Sequence, residues 1–305
     1  MIQPLKEDAL PKLDTFALAK GNSLWSDAWR RLRKNHVAFA SIFILAFIVL
    51  ACLLGPVVAE KTAGYTYRDQ DLLYGAQGPS AEHWFGTDEK GRDLFVRTLD
   101  GGRVSLTVGF LATAVAVFVG VSFGAISGYS RPLVDDAMMR FVEILLALPF
   151  LIMVILIRVF FGDEMYKLYL TIGLLEWLVM ARIVRGQVQS LRKQEFTEAA
   201  VSLGLSSSQI IFRHLVPNVL GVVVVYATLT VPAVMLLEAA LSFLGLGTKP
   251  PDSSWGELLN EGAQTMETHP WRLFFPALFF SVTLFCLNFL GDGLRDALDP
   301  KASKD

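Results

Sequence analysis

Charge is scarce in this chain, and the residues that build metal or disulfide centres are scarcer still. Of its 305 residues 18% are Asp, Glu, Lys or Arg, while 53% are hydrophobic. That balance departs from a soluble domain in the direction of lipid solvation. The two cysteines, Cys52 and Cys286, each sit inside an apolar run, which excludes a disulfide framework and a cysteine metal cluster. The four histidines (His36, His83, His214, His269) form no i, i+4 pair, so a zinc or histidine-based catalytic centre is not expected. A net charge of −2 offers no argument for a nucleic-acid partner. No Gly-x-x-x-x-Gly-Lys-[Ser/Thr] loop is present, so the chain lacks the usual cradle for ATP phosphates. Neither an internal repeat nor the paired broken helices of many ion-coupled carriers is visible. No Ser/His or His/Glu constellation lies at membrane depth, which argues against a membrane-embedded enzyme.

Long apolar runs are what the chain has instead. About 20 apolar residues, at about 1.5 Å each, cross roughly 30 Å of hydrocarbon. Val37–Ala59, Val104–Ser130, Leu215–Leu237 and Leu273–Gly291 meet that length without a charge. Two further candidates are less clean. Met138–Gly162 carries Arg140, Glu143 and Arg158, and Leu168–Arg182 carries Glu176. The expectation is an all-α, polytopic membrane protein with six transmembrane helices. Val37–Ala59 is too long for a signal-peptide core and reads as an uncleaved first span.

Lys and Arg set the orientation. With the N-terminus inside, seventeen of the 27 fall in cytoplasmic segments and nine outside. Both termini are therefore expected in the cytoplasm. The organisation that follows is a cytoplasmic tail over 1–36, a first span over 37–59 and an external segment over 60–103. A five-helix core over 104–291 contains a cytoplasmic loop at 185–217, and a cytoplasmic tail over 292–305 ends the chain. Within the first tail, Trp25, Trp29 and Leu32 form an apolar stripe beside Arg30, Arg31, Arg33 and Lys34. The pattern fits an interfacial helix or a plain positive flank of the first span.

The loop at 185–217 is the most distinctive segment. Phe196, Ala199, Ala200 and Leu203 fall at i, i+3, i+4 and i+7 and share one helix face. The two alanines leave room for something bulky to pack close. Gly204 supplies a left-handed turn that ends the helix, and Ser206, Ser207 or Ser208 can cap a second one near Gln209. Glu198 lies on the first helix and Pro217 closes the loop. A short helix-Gly-helix knuckle on the wet side of a membrane has the shape of a plug for a partner's groove.

Other residues carry two readings each. Thr87 can cap a helix start, with Asp88 and Glu89 complementing its dipole and Arg92 and Asp93 following. This elbow is either scaffolding or a contact for an external protein. Charges at membrane depth cost about 2.5–3.5 kcal/mol on insertion scales. Glu176 and Glu238 therefore either line a pathway or pair with a neighbouring helix, while Arg158 reaches headgroups or Glu164. Pro149, Pro232 and Pro276 interrupt spans and free backbone carbonyls. Gly109, Gly120, Gly124 and Gly128 stripe the second span for close helix packing. Ser254-Trp255-Gly256-Glu257 begins like a capping box and predicts a short external helix to about Thr265.

Four segments carry a family resemblance. They are Phe85-Gly86-Thr87-Asp88-Glu89-Lys90-Gly91-Arg92-Asp93-Leu94, the Glu198 to Pro217 loop, Leu241–Gly247 with Ser254-Trp255-Gly256, and Asn288–Pro300. Together they resemble the oligopeptide/dipeptide branch of ABC-importer permeases, in which the loop is the "EAA" segment. One departure is His214-Leu215-Val216-Pro217, where the general pattern ends Ile-x-Leu-Pro; the peptide branch is similar at that point.

The resemblance implies a type I permease core in a bacterial cytoplasmic (inner) membrane. It implies as partners a second homologous permease chain, two ATPase subunits, a periplasmic peptide-binding protein, a peptide substrate and membrane lipid. It implies no catalysis and no cofactor in this chain, with ATP and Mg held by the ATPases. The ATPase-coupling residues carried over are Phe196, Glu198, Ala199, Ala200, Leu203, Gly204 and Pro217. The same permease branch includes importers of dipeptides and of nickel, which stay open as alternatives, with an ion-coupled carrier behind them.

Overall fold

The computed structural model describes residues 24–162, 165–248 and 252–298. The tails over 1–23 and 299–305, the side chains of Trp25 and Arg158, and Glu164 lie outside the described residues. What is described is helical apart from turns and one isolated bridge between Thr87 and Asp93.

The helices are α1 (Leu24–Lys34), α2 (His36–Ala63), α3 (Leu94–Tyr129), α4 (Pro132–Ala147), α5 (Phe150–Phe161), α6 (Met165–Leu191), α7 (Glu195–Ser202), α8 (Ser207–Gln209), α9 (Val216–Phe243), α10 (Trp255–Gln264) and α11 (Trp271–Leu298). A π-helical turn, Ile210–Leu215, joins α8 to α9. Four helices are long and apolar enough to cross a membrane: α2, α3, α11, and the run from α8 through α9. The α4–α5 pair qualifies as a fifth span if its two halves count as one, but it bends by 90°. The bend falls at Leu148 and Pro149, where Pro149 bars a continuous helix and forces the residue before it into extended backbone. The third span expected over 138–162, with Pro149 interrupting it, is therefore two helices. The sixth candidate, α6, is 27 residues long but carries Lys167, Glu176, Arg182 and Arg185, and it does not reach the same apolarity.

Helix α3 is the centre, packing against α2, α4, α6, α9, α10 and α11. Its most extensive partner is α6, and the glycine stripe explains how the two approach. A Cβ on Gly120 would meet Met180 and the Trp177 carbonyl; one on Gly124 would meet the Ala181 carbonyl and Val184; one on Gly128 would meet the Arg185 carbonyl and Val188. Gly173 on α6 returns the arrangement against Ala112 and Val115. Gly109 serves a different neighbour, Val231 and Met235 of α9. Small residues let backbones meet where lipid supplies no hydrophobic drive between helices.

Helix α3 starts ten residues before the apolar run that marks it in the sequence. Asp93 caps it, accepting from Val96 N at 2.8 Å. The amphipathic helix α1 is present, but its buried side is Ala28 and Leu32, packed with Ala38 and Ala297, and Trp29 is turned outward over Phe39. Much apolar surface stays outside the chain's own core, including Phe47, Phe118, Phe274 and Phe285, each at least 60% exposed. Lipid or another chain is the natural cover for such a surface.

Candidate functional site

Two polar assemblies mark opposite ends of α3, and the knuckle lies beside the second. At the Asp93 end, the segment 86–97 folds onto α10. Arg97 Nη1 lies 2.5 Å from Asp88 Oδ2 and 2.8 Å from Glu261 Oε2, and Arg97 Nη2 donates to Ser253 Oγ at 2.9 Å. Arg92 Nε holds the same Asp88 oxygen at 2.6 Å, while Asp88 Oδ1 accepts the backbone N–H of Lys90 and Arg92. Arg272 at the start of α11 donates to Glu89 and to Thr265. Burial pushes the Asp88 carboxyl up, but the Arg97 and Arg92 guanidiniums and the Arg92 hydrogen bonds outweigh it and hold it below the ordinary value. Glu261 behaves alike: burial raises it, and the Arg97 hydrogen bonds and charge lower it further than that. Glu257, one turn back on α10, feels the Arg97 charge but has no ion pair with a guanidinium among the described residues. Burial first and then the Glu261 charge push it up to about 7.

The elbow residues named from the sequence are therefore all buried: Thr87, Asp88, Arg92 and Asp93 are each under 5% exposed. One assignment is corrected. Thr87 does not cap the helix; its hydroxyl donates to Gly75 O at 2.7 Å and accepts from Gln77 N at 2.8 Å, and Asp93 is the cap. Asp93 also meets His83 Nδ1 at 2.7 Å. Arg97 and Glu261 were not legible as site residues, because their meeting spans 164 positions.

Glu238 is fully buried on α9, where Ser242 Oγ donates to it at 2.7 Å and Ser105 Oγ at 3.3 Å. Ser105 in turn accepts Trp255 N, and Trp255 Nε1 donates to Thr98 O at 2.8 Å. The cluster thus fastens α10 to α3 and α9. Glu176 is half-buried on α6. No hydrogen bond joins it to Glu238 among the described residues.

At the Tyr129 end, α6 turns into α7. Arg192 N, Lys193 N and Gln194 N close the turn onto Val188, Ser190 and Leu191 carbonyls, and Thr197 Oγ1 donates to Leu191 O at 2.9 Å. Gly204 takes φ +77°, with its N–H on Val201 O and Leu205 N on Ala200 O, the left-handed helix end that the sequence demands. Ser206, the first of the three serines named as caps, caps α8 with a reciprocal bond to Gln209, and the helix starts at Ser207, two residues before Gln209. The π-helical turn follows, and Pro217 sits in the first turn of α9, where its missing N–H costs little.

The four-residue stripe of α7 is split. Phe196, Ala199 and Leu203 are exposed, Leu203 to 81%, and Glu198 points outward with them. Ala200, at the edge of that face, is buried against Ile210, Ile211 and Leu215. The helical period places 196, 199 and 203 about one face, and position 200 is the edge that the π-helical turn covers. Among the described residues no group of three or more His, Cys, Asp and Glu is placed to hold a metal ion.

A fold of apolar spans around a central helix, with a buried polar cap at one end and a short helix with an exposed face at the other, defines a polytopic membrane protein. Residues 120–304 match the family model described as "Binding-protein-dependent transport system inner membrane component", and 23–79 match the "N-terminal TM domain of oligopeptide transport permease C". The chain belongs to the family of binding-protein-dependent transport system inner membrane components. It is 51% identical to the oligopeptide transport system permease protein OppC of Escherichia coli K12, over 99% of both chains. It is also 51% identical to OppC of Haemophilus influenzae, over 92% of this chain and 90% of that one. The dipeptide transport system permease protein DppC of Bacillus subtilis is 45% identical over 92% of this chain and 86% of its own length.

Proposed function

We propose that the chain is the transmembrane permease subunit of an ATP-driven oligopeptide importer in a bacterial inner membrane. One observation carries the reading above all: 51% identity to an oligopeptide permease over nearly the whole of both chains. In this reading α2, α3, the bent α4–α5 pair, α6, α9 and α11 are six crossings, and both termini are cytoplasmic. A second permease chain completes the translocation pathway. A periplasmic protein delivers peptide, and two ATPase subunits hold ATP and Mg.

Helix α7 is the coupling element. Phe196, Ala199 and Leu203 supply an apolar face for an ATPase groove, Glu198 supplies a charge at its rim, and Gly204 and Pro217 fix the geometry of the knuckle. Ala200 anchors that face to the π-helical turn rather than meeting the partner. The elbow of Thr87, Asp88, Arg92 and Asp93 is a scaffold, since its side chains are turned inward and satisfied. Glu176 is the stronger pathway candidate of the two intramembrane acids, and Glu238 pairs helices.

The experiment is uptake of labelled di- and oligopeptides into proteoliposomes holding the purified complex, with ATP inside and binding protein outside. ATP-dependent accumulation of oligopeptides supports the reading, and its absence overturns it. The identity to a dipeptide permease favours one second reading, a dipeptide importer. Accumulation restricted to dipeptides would select it.

A further inference from the structure

Helix α4 is held to the rest of the chain by few contacts, and its polar ones converge on a single side chain. Asp135, in the first turn of α4, is 7% exposed. Its Oδ1 accepts Arg185 Nε at 2.6 Å and Ser127 Oγ at 2.5 Å; its Oδ2 accepts Arg185 Nη2 at 2.6 Å and Gln189 Nε2 at 2.8 Å. Ser127 belongs to the last turn of α3, and Arg185 and Gln189 to the last two turns of α6. A bidentate guanidinium–carboxylate pair fixes orientation as well as distance, which a single ammonium contact would not. Arg192, on the turn that leads from α6 into α7, donates to Ser130 O at 2.9 Å at the α3–α4 junction. Above Asp135, α4 packs through Met139 and Val142 alone among its fully buried apolar residues, while Leu133, Phe141 and Ile144 are half or more exposed.

We infer that Asp135 is a positioning residue that makes the bent α4–α5 arm follow the movements of α7. The inference rests on the coupling role proposed for α7. Arg185 lies ten residues before the start of α7: six of them run along α6, about 9 Å, and the turn at 192–194 carries the chain into α7. A tilt of α7 that turns the last two turns of α6 carries Arg185 and Gln189 with it, and they carry the first turn of α4. Pro149 places the 90° bend further along the same arm, so a small rotation at Asp135 swings α5 sideways within the membrane. No acid and base sit so close in sequence as to announce this pair; 50 positions separate them.

The test compares the wild-type complex in proteoliposomes with Asp135→Asn and Arg185→Lys, measuring peptide uptake and binding-protein-stimulated ATP hydrolysis on the same vesicles. Asp135→Asn keeps the shape and loses the charge. The expected result is uptake lowered about tenfold with hydrolysis lowered less than about twofold, so that more ATP is spent per peptide, and Arg185→Lys falling between. Uptake and hydrolysis falling in the same proportion, or neither changing, would overturn the inference. Should Asp135→Asn fail to assemble, Arg192→Gln, an exposed position on the same connection, must raise ATP spent per peptide, and an unchanged ratio overturns the inference. A wild-type complex that hydrolyses ATP without moving peptide overturns the importer reading itself, and this inference with it.

Discussion

Arg97 of α3 and Glu261 of α10 meet through both guanidinium nitrogens, Nη1–Oε2 at 2.8 Å and Nη2–Oε1 at 3.2 Å. The same Nη1 reaches Asp88, and Arg92 also approaches both acids, so two cations serve two carboxylates that belong to separate segments. Removing Arg97 leaves the two buried acids with Arg92 as their one remaining guanidinium in the cluster. Arg97→Ala is expected to destabilise the chain by about 3–5 kcal/mol, the range for breaking one side of a buried pair. Thermal unfolding in lipid nanodiscs checks this. Because Asp88 is held below its ordinary value, its contribution is present above the usual aspartate range and is lost only as pH falls through the lowered folded value. Mild acidification should therefore leave the Asp88 contribution to wild-type stability intact.

Glu257 has the opposite sign. Its folded carboxyl titrates at about 7 against an ordinary 4.5, so the unfolded chain releases this proton first. Stability attributable to Glu257 is complete below pH 4.5 and is lost as pH rises to about 7. Glu257→Gln removes that dependence. Melting curves from pH 5 to pH 8 should show wild type falling relative to the variant, with most of the divergence complete by about pH 7.

Two glycines separate folding from coupling. A side chain at Gly124 would strike the Ala181 carbonyl and Val184, so Gly124→Leu should push α3 from α6 and cost about 1–3 kcal/mol or more. Its signature is a low yield of assembled complex. A Cβ at Gly204 meets nothing within 4 Å, but the residue has φ +77°. Gly204→Val therefore strains only the tip of the knuckle, by about 1–2 kcal/mol. The complex should assemble at normal levels and transport little, as should Glu198→Lys. Normal uptake by both would remove α7 from the mechanism.

Glu238→Gln keeps one acceptor oxygen, for Ser242, turns an N–H donor towards Ser105 Oγ, and leaves no ionisable group at the site. Uptake within about twofold of wild type is expected if pairing of helices is its task. Glu238→Ala orphans the hydroxyls and should lower the melting temperature. A large loss of uptake in the Gln variant with no change in melting would return Glu238 to the pathway.

The sequence was informative where a local rule decides the structure. Uncharged runs located four spans, Gly204 ended α7, Ser254 capped α10 with Glu257 N on its hydroxyl, and Gly120, Gly124 and Gly128 of α3 lined up against α6. Helix ends were less legible. The polar first turns of α3, from Leu94 to Arg103, read as an external elbow apart from the second span until Arg97 finds Asp88 and Glu261 across the fold. The α4–α5 break shows the same limit. Pro149 was visible, yet the 90° turn depends on what packs beside it. The direction of Ala200 also escaped the periodicity, because a π-helical turn elsewhere in the chain covers that edge of α7.

Photocrosslinking from position 203 in intact inner-membrane vesicles addresses the central claim most directly. Leu203, the residue that caps α7 at its C-terminus, is 81% exposed, so a photoreactive residue placed there samples whatever the knuckle touches. The account predicts a crosslink to a nucleotide-binding subunit on the cytoplasmic face. A crosslink only to lipid, or labelling of position 203 from the periplasmic side by an impermeant reagent, would contradict it.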